Sequence, residues 1–356
     1  MLMFKVLQMF SVYDDIEEVE RFGRGFINRT YYVKGKTKNY ILQVLDCTNF
    51  ENPDATISNI TSIVDHLIKY YPNSHRFYDL YTKEGERYIK LQNTIWHGFS
   101  IPKNLRLFKK VINDQMMTEI GKAIGLFHKS LMNFSFNNLK TVNSSYHRYD
   151  KLESYLTTIV KLDTYNRAML AFNEVKFIKE RLKDMHLFSK IIDDGLVPLR
   201  ITHNNIRLNN ILFEDDTYNF AALIGYDVIS VGSILYDIGD TIRHLVVTTR
   251  EDEANLDLVQ INLNFFAAFI RGYIQEMKEH ITTEEIKNIV EAGRILTLEE
   301  GLRYIIDFLD NDRIYKADYH FQNLERARNR LQLVRDIEQK NLLLNEIINK
   351  IVTENR

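Results

Sequence analysis

Residues 199–226 read LRITHNNIRLNNILFEDDTYNFAALIGY, and the fold is decided by how this stretch is read. An apolar start gives way to a polar loop around Thr202 to Asn205. The apolar run Ile211-Leu212-Phe213 follows, then a turn at Glu214-Asp215-Asp216, then the apolar run Ala221 to Ile224. Short apolar runs bounded by turn residues read as a β-hairpin. A small hairpin with a polar loop at its entrance, set between helical patterns, is an uncommon arrangement.

On both sides the pattern is helical. Gln115 to Leu131 places Ile120, Ile124, Phe127 and Leu131 on one stripe, the spacing of a buried helix face, with His128 beside it as a satisfied structural histidine. Met169 to Leu187 reads as a second long helix. Leu324 to Ile351 reads as a third, with Leu324, Ala327, Leu331, Val334 and Ile337 repeating at threes and fours. Arg326, Arg328 and Arg330 spread around that helix, which predicts a solvated surface and no binding patch.

Further upstream the patterns are those of strands. Phe26 to Val33 and Tyr40 to Leu45 flank a turn at Lys34-Gly35-Lys36 and predict a hairpin. Asp54 to Tyr70 has a helical period, and Arg87 to Gln92 with Thr94-Ile95 predicts a further strand. The opening MLMFKVLQMFSVYDD carries Lys5 and lacks a small-residue cleavage site, so it reads as a packed helix and not a signal peptide.

The chain has 356 residues, more than the roughly 100–200 of one domain, so two lobes are expected: a β-rich lobe over 1–98 and a mainly helical lobe over 99–356. Lys+Arg 46 against Asp+Glu 48 leaves no basic field, which argues against a nucleic-acid partner or an anionic membrane surface. No run approaches the ~18 apolar residues of a membrane span. The single cysteine, Cys47, excludes an intramolecular disulfide and suits a reducing, cytoplasmic setting.

The stretch Arg200 to Arg243 resembles the N-acetylhexosamine 1-kinase branch of the aminoglycoside phosphotransferase and choline kinase superfamily. Its Thr202-His203-Asn204, Asn209-Asn210-Ile211-Leu212-Phe213 and Leu235-Tyr236-Asp237-Ile238-Gly239-Asp240 carry the likeness. Gly25 to Tyr31, Tyr40 to Gln43, Glu251-Asp252-Glu253, Glu299 to Tyr304 and Asn323 to Arg328 extend it over nearly the whole chain. The resemblance implies a two-lobed, protein-kinase-like α+β fold. It also implies ATP and Mg²⁺ as cofactors and a sugar or amino sugar as acceptor. By it Gly23, Gly25, Asn28, Thr30 and Gln43 fall in the nucleotide region and Asn210 at a metal position. His203 falls in the catalytic loop as a structural residue. Asp237 braces that loop, and Asp240 and Arg303 are placed toward the substrate.

The departures from the family pattern bear on turnover. The family's catalytic Asp falls on Asn205, whose carboxamide accepts no proton. Its main metal-binding Asp falls on Gly225, and Mg²⁺ wants anionic oxygen. Asp227, two residues on, shares a face with Gly225 if the chain is extended there, and either approaches the metal or is structural. Gln43-Val44 replaces a Gln-Arg pair, and Ser58 stands where relatives carry an acid. Arg207 replaces a Lys and either touches a phosphate or makes an ion pair. Arg303 either contacts substrate or pairs with Glu299. The expectation is a phosphotransferase-fold protein impaired in catalysis, with weakened metal binding and a retained nucleotide or hexosamine site. The alternative is an active ATP-dependent sugar kinase.

Overall fold

The computed structural model describes residues 2–22, 29–50, 52–72, 77–142, 147–247 and 249–355. The chain forms two compact units. Unit 1 takes Met1–Ile112, Asn133–Ser144 and Leu208–Ser230, and unit 2 takes Asn113–Met132, Ser145–Arg207 and Val231–Arg356. The hairpin quoted above therefore clusters with the β-rich segment and not with the helices that flank it in sequence.

The first stretch of unit 1 runs α1 (Leu2–Met9), β1 (Ile16–Phe22), β2 (Arg29–Gly35), β3 (Asn39–Asp46), α2 (Pro53–Tyr70), β4 (Tyr78–Asp79), β5 (Tyr88–Leu91), β6 (Thr94–Ile101) and β7 (Leu105–Leu107). An antiparallel sheet is ordered β1-β2-β3-β6-β4, with β5 also on β6. The expected first hairpin forms, but β2 continues through Lys34 and Gly35, and the bend falls at Lys36 and Thr37. Asp15 sets that bend: its carboxylate accepts from Thr37 N at 2.9 Å and Tyr40 Oη at 2.7 Å. The further strand expected from Arg87 is two strands, β5 and β6, joined at Gln92, which holds a left-handed φ of 53°. Alternation gives the sheet two faces. Val33, Leu42, Val44 and Trp96 pack with Val6 and Leu7 of α1 and with Phe10 just after it, as expected of a packed first helix.

Unit 2 continues with α3 (Asp114–Ser130), α4 (Tyr149–Leu162), α5 (Phe172–Lys179), α6 (Leu182–Asp193) and β8 (Arg200–Thr202). The chain passes through β9 (Ile211–Glu214) and β10 (Phe220–Leu223) of unit 1, where β7, β9 and β10 form a three-stranded sheet. It returns by β11 (Ser230–Gly232) to α7 (Ile234–Leu245), α8 (Leu263–Met277), α9 (Thr283–Lys287), α10 (Ile289–Leu309), α11 (Gln322–Gln339) and α12 (Asn341–Asn355). Helices α3 and α8 cross at backbone contact. A Cβ on Gly121 would stand 2.2 Å from Phe269 O, and one on Gly272 would stand 2.0 Å from Thr118 O, so both positions require glycine.

The long helices expected over Met169–Leu187 and Leu324–Ile351 are each broken, although neither contains Gly or Pro. At the first break Arg181 bonds Glu338 through two nitrogens (2.8 and 2.9 Å) and lies over the Phe177 ring. At the second, Lys340 folds back onto Asp336 at 2.8 Å, and α12 packs on α8. Tertiary contacts, the Arg181–Glu338 pair at the first boundary and the packing of α12 on α8 at the second, go with these breaks where local propensity is neutral. No described helix is long and apolar enough to cross a membrane.

Candidate functional site

In unit 2 the loop after β8 is bolted to α7. Asp237, in the first turn of that helix, is fully buried. It accepts from His203 N and Asn204 N, both at 2.7 Å, and lies 2.8 Å from His128 Nε2. Burial pushes its carboxyl up, but the His128 contact and the backbone N–H groups outweigh that and hold it below the usual carboxylate range. His128 is in turn fixed by Tyr273 Oη at 2.9 Å, the satisfied structural histidine the sequence predicts. Asn204 takes a left-handed φ of 58°, which turns the loop so that both N–H groups face one carboxylate.

One turn along α7, on the same helix face, Asp240 Oδ2 accepts from Ile206 N at 3.1 Å, and the Arg243 guanidinium contacts Asp240 Oδ1. Burial raises its pKa, with Arg243 and Arg207 acting against that. Asn205 is half-buried within the loop so held.

Around this frame lies a buried charge network. Glu300 of α10 sits 2.7 Å from Arg330, 3.5 Å from His244 and 3.9 Å from Arg207. Glu299 pairs with Arg303 at 2.7 Å and with His147 at 2.7 Å, and the His147 ring stacks on Tyr236 at 3.9 Å. Arg207 and Arg303 thus each lie beside a carboxylate of α10. The expected solvated face of α11 is corrected: Arg326 and Arg330 are 3% and 4% exposed and point inward, near Glu251 and Glu300. Their spacing of four residues places them on one buried stripe. Arg328 faces outward and pairs with Glu174 at 2.7 Å.

In unit 1 the hairpin brings Asn210 and Gly225 together. Ile224 N donates to Asn210 O at 2.8 Å, and Gly225 follows in the left-handed region at φ 89°, ψ 45°. A Cβ built on Gly225 would stand 2.7 Å from Asn210 Cγ, Oδ1 and Nδ2 alike. Residues Tyr226–Val228 then form a 3-10 turn packed on α2. The backbone from Gly225 is therefore not extended, and the alternation that would put Asp227 on the face of Gly225 does not apply. Asp227 is 5% exposed within that turn.

These residues do not fit a magnesium site of the expected kind. The position that should supply a carboxylate has no side chain, and the Asn210 carboxamide fills the space beside it. No group of three or more His, Cys, Asp or Glu among the described residues is placed to hold a metal ion.

The sheet supplies a further set. Thr30, Gln43 and His97 are direct register partners across β2, β3 and β6, so all three side chains point to one face. Val44 points to the other face, into the apolar core under α1, so positions 43 and 44 do not act together. Gln43 Oε1 and His97 Nε2 are buried with no hydrogen-bond partner among the described residues. A buried polar atom left this way costs about 1–3 kcal/mol. Burial holds the imidazole neutral, its pKa brought down to about 4. His97 escapes the sequence reading; its only signal there is a lone histidine in the apolar run Ile95-Trp96-His97-Gly98-Phe99. Gly23, Gly25 and Asn28 lie outside the described residues. An open cleft of ≈ 760 Å³ between α2 and Asn133–Ser135 is lined by none of the residues singled out above.

No protein-family model matches the chain. In three dimensions it is similar to a spectinomycin phosphotransferase solved with ADP and spectinomycin, at 13% identity and TM-score 0.62, over 95% of this chain and 98% of that one. It is similar to an aminoglycoside phosphotransferase from Alicyclobacillus acidocaldarius, at 10% identity and TM-score 0.60, over 98% and 95% of the two chains. A microcompartment-associated aminopropanol kinase aligns at 12% identity and TM-score 0.61, over 97% and 98%. The fold is the kinase-like α+β fold of small-molecule phosphotransferases, as the hairpin and its flanking helices predict. At such identities the likeness defines the fold alone.

Proposed function

We propose that the chain is a catalytically impaired small-molecule kinase: a phosphotransferase-fold protein that binds a nucleotide or a hexosamine but transfers phosphate weakly or not at all. In this reading the β-rich lobe 1–98 takes the nucleotide, the helical lobe 99–356 takes the acceptor, and the protein works in the cytoplasm. The observation that carries it is the Asn210 side chain beside a side-chain-less Gly225. Phosphoryl transfer relies on positioning and charge neutralisation, chiefly by metal. A site that cannot present a carboxylate there loses that term. Asn205 adds to the loss, since general-base help is worth about 10²- to 10⁴-fold in typical cases.

The second reading, an active ATP-dependent sugar kinase, is favoured by one feature: the loop bearing Asn205 is held by Asp237 and Asp240 with all its braces in place. Retained loop geometry is compatible with both readings, because those bonds serve the backbone. The test is consumption of ATP with Mg²⁺ and a panel of hexosamines. No turnover above a heat-killed control is expected; a sugar-phosphate product formed at an ordinary kinase rate of about 1–100 s⁻¹ overturns the proposal.

A further inference from the structure

We infer that the sheet face bearing Thr30, Gln43 and His97 binds an uncharged nucleoside, base plus ribose, in preference to a magnesium nucleoside triphosphate, with His97 as a ligand contact. This rests on the reading of the β-rich lobe as the nucleotide side. It goes further by naming the form of the ligand and a residue outside the family-derived set.

Three observations carry it. The first is the orphaned pair: Gln43 Oε1 and His97 Nε2 are adjacent across the β3–β6 register, both buried, and both without a partner among the described residues. Folded proteins rarely tolerate such atoms without a reason, and a bound ligand is one. The second is charge. Threonine, glutamine and a neutral imidazole offer hydrogen bonds but no cation. The strand lysines on this face are already committed, Lys34 to Glu18 at 2.6 Å and Lys90 to Asp54. Glu20, on the same face by its register with Tyr32, adds a negative charge. A triphosphate would find no free cation among the described residues of this face. The third is the hairpin of the same unit, where Gly225 offers no carboxylate and the Asn210 carboxamide fills the space beside it, which leaves no anionic ligand at that point for a metal that would neutralise phosphates. Neutral groups facing an orphaned acceptor suit the amino, imino and hydroxyl groups of a nucleoside.

The physical signature is a trade of stability for binding. If the two atoms await a ligand, replacing them by apolar side chains relieves the free protein and abolishes the ligand effect. The experiment is a thermal-shift titration of the full chain with adenosine, guanosine, ADP and ATP, each with Mg²⁺ and with EDTA. Denaturant midpoints are measured beside it for Gln43→Leu, His97→Leu and the milder His97→Gln. A saturable shift with adenosine or guanosine is expected, unchanged by EDTA and at least as large as that with ATP and Mg²⁺. Both leucine variants should keep or raise the midpoint of the free protein and weaken the nucleoside at least tenfold, with His97→Gln in between. A shift with ATP and Mg²⁺ alone, no shift with either nucleoside, or an undiminished nucleoside shift in both leucine variants overturns the inference. Leucine variants that fold poorly also count against it, because they would show the two atoms to be structural. The outcome is independent of turnover: a sugar-phosphate product refutes impaired catalysis while leaving nucleoside binding to be read from the same titration.

Discussion

Asn210 occupies the ground that a side chain at position 225 would need, with its three terminal atoms each 2.7 Å from the point where a Cβ would sit. The two positions are the ones at which the family resemblance places metal ligands, and here one is glycine and the carboxamide of the other fills the space beside it. The flexible end of an asparagine can swing aside, so the arrangement is reversible in principle. The first prediction uses that.

Restoring both acidic positions, Asn205→Asp with Gly225→Asp, should give Mg²⁺-dependent transfer to a hexosamine that the natural chain lacks. Asp is among the residues that tolerate the left-handed region, so the φ of 89° does not forbid it. Product formation is measured by coupled ADP release and sugar-phosphate detection. Equal activity in the natural and restored proteins would show that the metal-site argument is mistaken.

Gly225→Ala tests the backbone without chemistry. An alanine there must hold left-handed φ and displace the Asn210 side chain. The cost should be about 1–2 kcal/mol from the backbone alone. Adding Asn210→Ala should recover the part due to contact and leave the backbone part, read from urea midpoints as a double-mutant cycle.

Asp237→Ala should destabilise by about 3 kcal/mol or more, because it leaves His203 N, Asn204 N and His128 without their shared acceptor in a buried place. The folded-state pKa of Asp237 is lowered. Its contribution is therefore present above the unfolded carboxyl value of about 3.9 and is lost as pH falls below it. The stability of the natural protein should therefore fall more steeply with acid in that range than that of Asp237→Asn, the gap between the two narrowing as pH drops.

His97 gives a pH dependence of the same sign in a higher window. Its imidazole titrates near 4 when folded and near 6.5 when unfolded. Between those values the unfolded chain binds the extra proton, so stability should fall as pH is lowered from about 6.5 to about 4. The loss should approach about 3 kcal/mol. His97→Leu should flatten that slope in denaturant melts, and an unchanged slope would mean that other histidines carry it.

Arg330→Met should cost about 3–5 kcal/mol, since it strands the Glu300 carboxylate, 2.7 Å from Arg330 and buried with it. Burial alone would raise the Glu300 pKa, and His244 with the surrounding arginines overcomes this and holds it low. Glu300→Gln in the same chain should recover much of the loss, which a refolded double variant would report by its midpoint.

How much was legible in the sequence varies with the kind of force involved. The β9–β10 hairpin and helix α3 with His128 on its flank follow from local pattern and spacing, and the bracing place of Asp237 from the family resemblance. Each depends on residues near in sequence or on one repeated motif. The break at Arg181 was not legible, because the ion pair there joins residues far apart in sequence, Arg181 and Glu338, and the break at Lys340 was not legible because α12 leaves the line of α11 to pack on the distant α8. The inward turn of Arg326 and Arg330 escaped for the same reason. A charged residue reads as solvated until a buried partner such as Glu300 is placed beside it.

By itself the sequence pointed to the kinase-like α+β fold, and it writes Asn at position 205 and Gly at position 225, where the resemblance implies carboxylates. Composition and short-range periodicity are written directly in the order of residues. Only the tertiary structure decided that the Asn210 side chain fills the space beside Gly225, that Asp227 lies in a 3-10 turn and not on an extended strand, and that His97 is the register partner of Gln43, with His97 Nε2 and Gln43 Oε1 both lacking a bond among the described residues. Those facts depend on cross-strand register and on a left-handed φ. Register and backbone handedness are fixed by packing over the whole unit, which no short window of sequence contains.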